Sequence, residues 1–454
     1  MDDLLNNIVA QKRIEVEELK RLYSITDLVE KIPDRPHFYT NIGHSIAKGA
    51  FFFITEFKRK SPSEGEIAGT NLKKQVASYI NNGAGAISVL CDKKFFGGSY
   101  EDLHQAYKLT SKSNVPVLQK DFVIDEIQIA YGASKGASLV LLIPRILEKQ
   151  RMSELFAYAE SIGQDVLVEV HDKNDLDKVL HLEPRILGIN NRDLDTLKIS
   201  LNRSNHLINQ LDYRPVLIAE SGVSNNFEFE VTTKNTDALL VGTSLMRNAP
   251  KTKLYQRFKS GNKYLKACGL QTLMDIQQCK SDLIGINFSP ESKRRIKDDV
   301  LSELEVKDNF VAVFKGNSLN EILEVIKKYH FNYVQVYFED ISISDIKKIP
   351  CKILLAIQVK SEFNSEKIEE IASYIDCFIL DGPKAGSGEA MAEIPKDFPY
   401  PFLLAGGMNA TNSHLVYDFD QCIGLDTASG IESEGKVSQE KIKEISNQLT
   451  NQLI

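Results

Sequence analysis

DVLVEVHDKNDLDKVLHLEPRILGINNRDL, residues 165–194, holds two short apolar runs, DVLVEV (165–170) and RILGINN (185–191), with helix-like sequence between them. Neither run alternates polar with apolar, so each reads as a parallel strand covered on both faces. The same unit recurs outward in both directions. FFFITEF (51–57), AISVL (86–90), VPVLQKDF (115–122) and ASLVLLIP (137–144) precede it, and PVLIAES (215–221) and DALLVGTS (237–244) follow. The second half repeats the pattern with KYLKACG (263–269), LIGINF (283–288), FVAVFK (310–315), YVQVYF (333–338), KILLAIQV (352–359), CFILDG (377–382), PFLLAGG (401–407) and CIGLDTASG (422–430). Eight strand–helix units, twice, predict an α/β protein of two tandem (β/α)8 TIM barrels. An open doubly wound sheet in each half is the rival, and the count of eight favours barrels. The polar KSGNK (259–263) marks a join, giving domains 1–258 and 259–454. Apolar residues at helical spacing, from Leu4 and Ile8 to Leu19 and Leu22, predict an amphipathic helix over 3–22 ahead of the first barrel.

The 454 residues are 43% hydrophobic and 26% charged, ordinary for a globular protein. The net charge of −7 offers no basic field for nucleic acid, and the run Lys293, Arg294, Arg295 is too short for one. An anionic substrate must therefore be held by local cations. Six scattered cysteines without a CxxC pair point to a reducing, cytoplasmic compartment. No apolar run suggests a signal peptide or a membrane span. The histidines show no HxH or HExxH spacing, so no metal is expected. GSG at 386–388 lacks the strand-to-helix context of a dinucleotide site.

Barrel enzymes carry their chemistry at the C-terminal ends of the strands. In the first half those ends carry Glu56, Lys58, Lys120, Asp121, Glu169, Asn190, Arg192, Glu220 and Ser221. One polar strand end merely marks arrival at solvent. Three runs ending in a glutamate set in apolar sequence (ITEF, LVEV, IAES) demand more, because a half-buried carboxylate needs a partner or a shifted pKa. The last two strands end in AESG and LVGTS. Gly222, Gly242 and Thr243 there present backbone N–H groups and a hydroxyl where such barrels hold phosphate.

EFKRKSPSEG (56–65), SVLCDKKFFGGS (88–99), LQKDFVID (118–125), VEVHD (168–172), GINNRDL (188–194), AESGV (219–223) and VGTSLMR (241–247) resemble, in order, the motifs of indole-3-glycerol phosphate synthase over nearly all of residues 1–255. The resemblance implies ring closure, decarboxylation and dehydration of an anthranilate-linked deoxyribulose phosphate. Lys120 matches the general acid, Lys58 the holder of the substrate carboxylate and Glu169 the second acid/base. Glu56, Asn190 and Glu220 match active-site polar residues, Ser61 belongs to the SPS motif, and Arg192 and Ser221 line the mouth. An ammonium serves as an acid near neutrality only with a lowered pKa, which Lys58 and burial are expected to provide.

The second half resembles phosphoribosylanthranilate isomerase: LKACGL (265–270), GINFSPESKRRI (285–296), ILDGPKAGSG (379–388), LLAGGM (403–408) and GLDTASGIESEGK (424–436). That family performs an Amadori rearrangement without a cofactor. The resemblance makes Cys268 the base, as a thiolate, and Asp381 the acid. It places Arg294 in the second loop, Gln335 in the fourth strand, and Gly406, Gly407, Ser429 and Gly430 in the phosphate loops. Two departures stand out. The family's Q-x-H-G reads Gln335-Val336-Tyr337-Phe338, and Leu355 replaces a lysine usual near the end of strand five. The reading is thus a fused tryptophan-biosynthesis enzyme. It is expected to be a monomer, to take small anionic phosphosugar-anthranilate substrates, and to need no cofactor, nucleic acid or membrane. Its rivals are a synthase with an inactive second barrel and a non-catalytic phosphate sensor, the latter disfavoured by two acid/base sets that mere binding does not require.

Overall fold

Runs buried on both faces need helices on the outside and side chains, not water, on the inside, and a closed ring supplies both. The computed structural model describes residues 2–61, 65–67, 71–193, 198–247, 253–254, 258, 261–359, 365–382 and 394–451. Residues 259–260 of the join, Pro62 and Ser63 of the SPS motif, Leu194, and the 386–388 turn lie outside these. The first ring is formed by β1 (Phe52–Phe57), β2 (Ala86–Leu90), β3 (Val117–Lys120), β4 (Leu139–Leu142), β5 (Asp165–Val170), β6 (Ile186–Asn190), β7 (Val216–Glu220) and β8 (Ala238–Val241). The second is formed by β9 (Tyr264–Cys268), β10 (Leu283–Asn287), β11 (Phe310–Val313), β12 (Tyr333–Tyr337), β13 (Lys352–Gln358), β14 (Cys377–Asp381), β15 (Phe402–Ala405) and β16 (Cys422–Thr427). In each ring consecutive strands are parallel neighbours, and the first closes on the last. Both predicted barrels are present. The chain packs as two units, one of residues 1–199, 210–229 and 235–259, the other of residues 200–209, 230–234 and 260–454.

Strand side chains alternate between faces, and the packing clusters say which face is which. Phe52, Ile54, Leu118, Leu141, Leu167, Ile186, Ile218 and Leu240 come from strands all round the ring yet touch one another, so they fill its interior. Phe38 and Ile42 of the helix Phe38–Ala47 pack with them at the N-terminal end. Phe53, Phe57, Ile87, Val89, Leu239 and Val241 instead pack with Val76, Leu103 and Phe229 of the helix layer. Two residues beyond the interior positions, on the same face, come Glu56, Lys120, Glu169 and Glu220. Four beyond Ile186 comes Asn190. The pleat alone thus delivers the strand-end polar groups to one mouth.

The predicted N-terminal helix is present as Asp2–Leu22. Its Ile8 and Val16 are buried, and so is Lys12 between them. The Lys12 ammonium lies 3.0 Å from Asp92 and 2.8 Å from Asp121, both fully buried and just past the ends of β2 and β3, and 2.8 Å from Glu15. Burial opposes the charge, but Asp121 and Asp92 outweigh it and the ammonium is held charged. The helix is therefore anchored at the C-terminal rim. Lys12→Ala should destabilise the first barrel by about 3–5 kcal/mol, because two buried carboxylates lose their cation. Denaturant unfolding followed by circular dichroism measures this, and an unchanged midpoint would remove the anchor.

Candidate active sites

In the first mouth Lys120 donates to Glu169 Oε2 and, at 2.6 Å, to Glu220 Oε2. Asn190 Nδ2 donates to Glu169 Oε1 at 3.0 Å. Lys58 Nζ lies 3.4 Å from Glu56 Oε1. Glu56, Glu169 and Glu220 are all buried. Two glycines make room for these carboxylates. A Cβ on Gly188 would stand 2.5 Å from Glu220 Oε1, and one on Gly242 would stand 2.7 Å from Glu56 Oε1.

The charges fix the protonation pattern. Burial opposes the Lys120 ammonium, but Glu169, Glu220 and Glu56 overcome it and its pKa is raised. The expected lowering is not found: Lys58 stands against Glu56, and three carboxylates dominate the field at Lys120. Burial and then the negative charge of Glu169 push Glu220 up to about 8, against the pull of Lys120. Burial works the same way on Glu169, yet Lys120 and His171 prevail and hold it well below the usual range. Two carboxylates on one ammonium are thus driven apart into an acid and a base.

Ser221 and Gly222 follow β7 with φ of 68° and 94°. Gly406 and Gly407 follow β15, the seventh strand of the second ring, with φ of 92° and 72°. Both rings thus end their seventh strand in a double left-handed turn, a conformation that favours glycine. Gly242 and Thr243 begin the turn after β8, and Ser429 and Gly430 the short helix after β16. The backbone of Ser61 lies in a two-stranded hairpin, Lys60–Ser61 with Gly65–Glu66. Arg192 donates its backbone N–H to Asn190 Oδ1.

The second mouth is built on Lys266 and Cys268, alternate residues of β9. Lys266 is fully buried, its ammonium 2.9 Å from Asp426 Oδ1 on β16. Burial raises the Cys268 thiol despite Lys266, so the expected resting thiolate is not found. Burial and the neighbouring Asp426 push Asp381 up to about 6, with Lys315 opposing. Tyr337 accepts from Gln335 Nε2 at 3.4 Å and lies under the Lys315 ammonium, 4.7 Å from the ring centroid. Its hydroxyl is pushed up by burial, then by Asp426, Cys268 and Asp381, so it faces the same mouth. Arg294 pairs with Glu432 through Nε at 2.5 Å and Nη2 at 3.0 Å. Leu355 is a correction. It is buried with Ile353 and Ile357 in the cluster that includes the helix residues Ile322 and Ile326, on the outer face of β13, so it does not occupy a site position.

Comparison with known proteins adds to this geometry. Residues 5–258 match the family model described as indole-3-glycerol phosphate synthase, and residues 265–448 the one described as N-(5'-phosphoribosyl)anthranilate isomerase. A tryptophan biosynthesis protein TrpCF of Helicobacter pylori is 31% identical, covering 98% of each chain. The chain belongs to this bifunctional family. Its Buchnera aphidicola relative is 28% identical over 99% of each chain, and the single-function synthase of Bacillus mycoides is 38% identical over 57% of this chain and 99% of its own. The protein is accordingly a decarboxylating lyase and an isomerase of tryptophan biosynthesis in one chain.

Sequence reasoning brought together Glu56, Lys58, Lys120, Glu169, Asn190 and Glu220 in the synthase mouth, and Cys268, Gln335 and Asp381 in the isomerase mouth. It missed Lys12, His171, Gly188, Lys266 and Asp426. Gly188→Ala tests the fit of the synthase mouth. The added methyl must displace the Glu220 carboxylate from Lys120, and a displacement of that order should lower synthase turnover by about 10²-fold while sparing the isomerase. Steady-state assays of both reactions decide, and unchanged synthase turnover would show that the carboxylate has room to spare.

Proposed function

We propose that the synthase reaction runs at the mouth of residues 1–258 and the isomerase reaction at the mouth of residues 259–454, each on residues of its own barrel. The observation that carries this is the Lys120 ammonium held between Glu169 and Glu220 on the inner face of a closed ring. Lys58 binds the substrate carboxylate. Lys120 protonates the oxygen of the reacting carbonyl as the ring closes. Glu169 then serves as acid and base in the loss of water. Substrate entering between Lys120 and its carboxylates would weaken the interactions that raise its pKa and leave burial, which lowers it. Gly222, Gly242 and Thr243 hold phosphate through backbone N–H groups and a hydroxyl, with Ser61, Arg192 and Ser221 around the substrate.

In the isomerase, Asp381 protonates the ribosyl ring oxygen and Cys268 takes the proton from C2. A carboxyl with pKa near 6 suits an acid near neutrality. The thiol needs help to ionise, and the buried Lys266 beside it supplies positive charge. Gly406, Gly407, Ser429 and Gly430 hold phosphate, and Arg294 and Gln335 position the rest. With every assigned residue coming from this one chain, it works as a monomer, and its free cysteines suit a reducing, cytoplasmic compartment.

Lys120→Ala should lower synthase turnover by about 10²–10⁴ and leave the isomerase at the wild-type rate. Cys268→Ala and Asp381→Ala should do the reverse, with independent effects. The protonated form of Asp381 is the working one, so isomerase kcat/KM should fall as pH rises through about 6. That limb should vanish in Asp381→Asn. Loss of both activities on either change would refute the separation of sites.

A further inference from the structure

Lys315 stands just past the end of β11, and none of the roles above uses it. Phe310, Ala312 and Phe314 pack outward with Ile322 and Ile326 of the helix layer, so by alternation Lys315 turns to the mouth. On the neighbouring β12, Val334 and Val336 pack outward and Tyr337 turns inward. The two inward side chains meet, the Lys315 ammonium lying over the Tyr337 ring. The backbone beneath is held on both sides. The Lys315 N–H donates to Ser289 Oγ at 2.9 Å, and the Gly316 N–H donates to Asp340 Oδ2 at 2.9 Å. Gly316 takes a left-handed turn, with φ of 74°. Gln335 in turn donates to the Tyr337 hydroxyl and fixes the ring. Turn and ring together hold an exposed ammonium over the second mouth.

Two other cations of this mouth are already engaged. Lys266 is held by Asp426, and Arg294 spends two nitrogens on Glu432. Lys315 forms no ion pair among the described residues, and its ammonium keeps N–H groups for a ligand entering from solvent. We propose that Lys315 is a specificity-determining residue of the isomerase reaction, whose ammonium takes the carboxylate on the anthranilate ring of the substrate. This rests on the reading of the second mouth as the isomerase site.

The ring order fits a substrate with an anion at each end. The phosphate turns follow the seventh and eighth strands. Lys315 follows the third strand, halfway round the ring from the seventh. Cys268 ends the strand next to the eighth, and Asp381 the strand next to the seventh. The reacting carbons therefore fall between the base and the acid, with the phosphate at one side of the mouth and the anthranilate ring reaching toward the other. Tyr337 and Lys315 stand on that other side. The lysine also pulls on the Asp381 carboxyl against burial. Removing it therefore changes the strength of the acid for any substrate, and the carboxylate contact must be read apart from that effect.

The test compares N-(5-phosphoribosyl)anthranilate with its carboxylate-free counterpart, N-(5-phosphoribosyl)aniline. Isomerase kcat/KM is measured for both in wild type, Lys315→Ala, Lys315→Gln and Cys268→Ala, with thermal melts of each. Where the aniline turns over too slowly, its inhibition constant against the anthranilate KM takes the place of that ratio. A change acting through Asp381, or through folding, touches both substrates alike and cancels in the ratio. The preference for the carboxylate should fall by about 10–100-fold in both Lys315 variants, as expected when a charge-assisted hydrogen bond is lost. Glutamine keeps most of the length of the side chain, so failure of one variant to fold leaves the other. An unchanged ratio in a folded Lys315 variant overturns the proposal, whatever happens to the absolute rates. If Cys268→Ala keeps wild-type isomerase turnover, the reading of the mouth itself falls. If it is inactive while the Lys315 variants keep the wild-type ratio, only the role of Lys315 falls.

Discussion

The Lys120 ammonium between two buried carboxylates is the constraint around which the first barrel is arranged. Glu56, Glu169 and Glu220 sit in the last inner layer before solvent, where each unpaired charge would cost several kcal/mol. Two ammonium groups, Lys120 and Lys58, serve three carboxylates there. The shortfall is met by neutral donors and by protons. Asn190 donates to Glu169, His171 contacts it, and Glu220 is driven toward the protonated form. Gly188 and Gly242 fit this arrangement, since a methyl at either place would strike a carboxylate and push it from its present position beside its cation.

The second barrel meets the same need with fewer charges. One buried ammonium, Lys266, faces one buried carboxylate, Asp426, with the Cys268 thiol beside them. The thiol and the Asp381 carboxyl are both shifted toward their neutral forms by burial. The Cys268 thiol is thus held toward its neutral form, whereas the Lys120 ammonium of the first mouth is held charged. The two mouths share their frame, including the left-handed turns after the seventh strands, and differ in which partner is held ready.

All sixteen barrel strands were legible because parallel strands buried on both faces leave largely apolar runs. Their ends were less so: VPVLQKDF and ASLVLLIP run past Val117–Lys120 and Leu139–Leu142 because the flanking turns are buried too. Glutamates in apolar context betrayed the synthase mouth. Lys12 left a fainter signal, a lysine four residues from Ile8 and from Val16 on the apolar stripe of a helix, where a charge must find a buried partner. Nothing in the sequence named Asp92 and Asp121 as that partner, because contacts between distant segments are set by the closed ring. Leu355 was misread because one residue of register decides whether a strand side chain faces the mouth or the helices.

The same physics separates a working second barrel from a scaffold. A barrel kept for packing alone would gain from apolar residues at its inner positions, since replacing a buried ion pair by well-packed hydrophobic side chains is often neutral or stabilising by about 1–4 kcal/mol. The second barrel does the opposite at one end only. Its outer positions are mostly Leu, Ile, Val, Phe and Ala, while Lys266, Cys268, Gln335, Asp381 and Asp426 lie at the middle or toward the C-terminal end of their strands. Tyr337, in place of the usual histidine, points its hydroxyl among the same groups. A buried lysine held by one aspartate beside a cysteine adds nothing to packing that leucine would not do better. A buried ionisable set of this kind is what proton transfer at that mouth would call for.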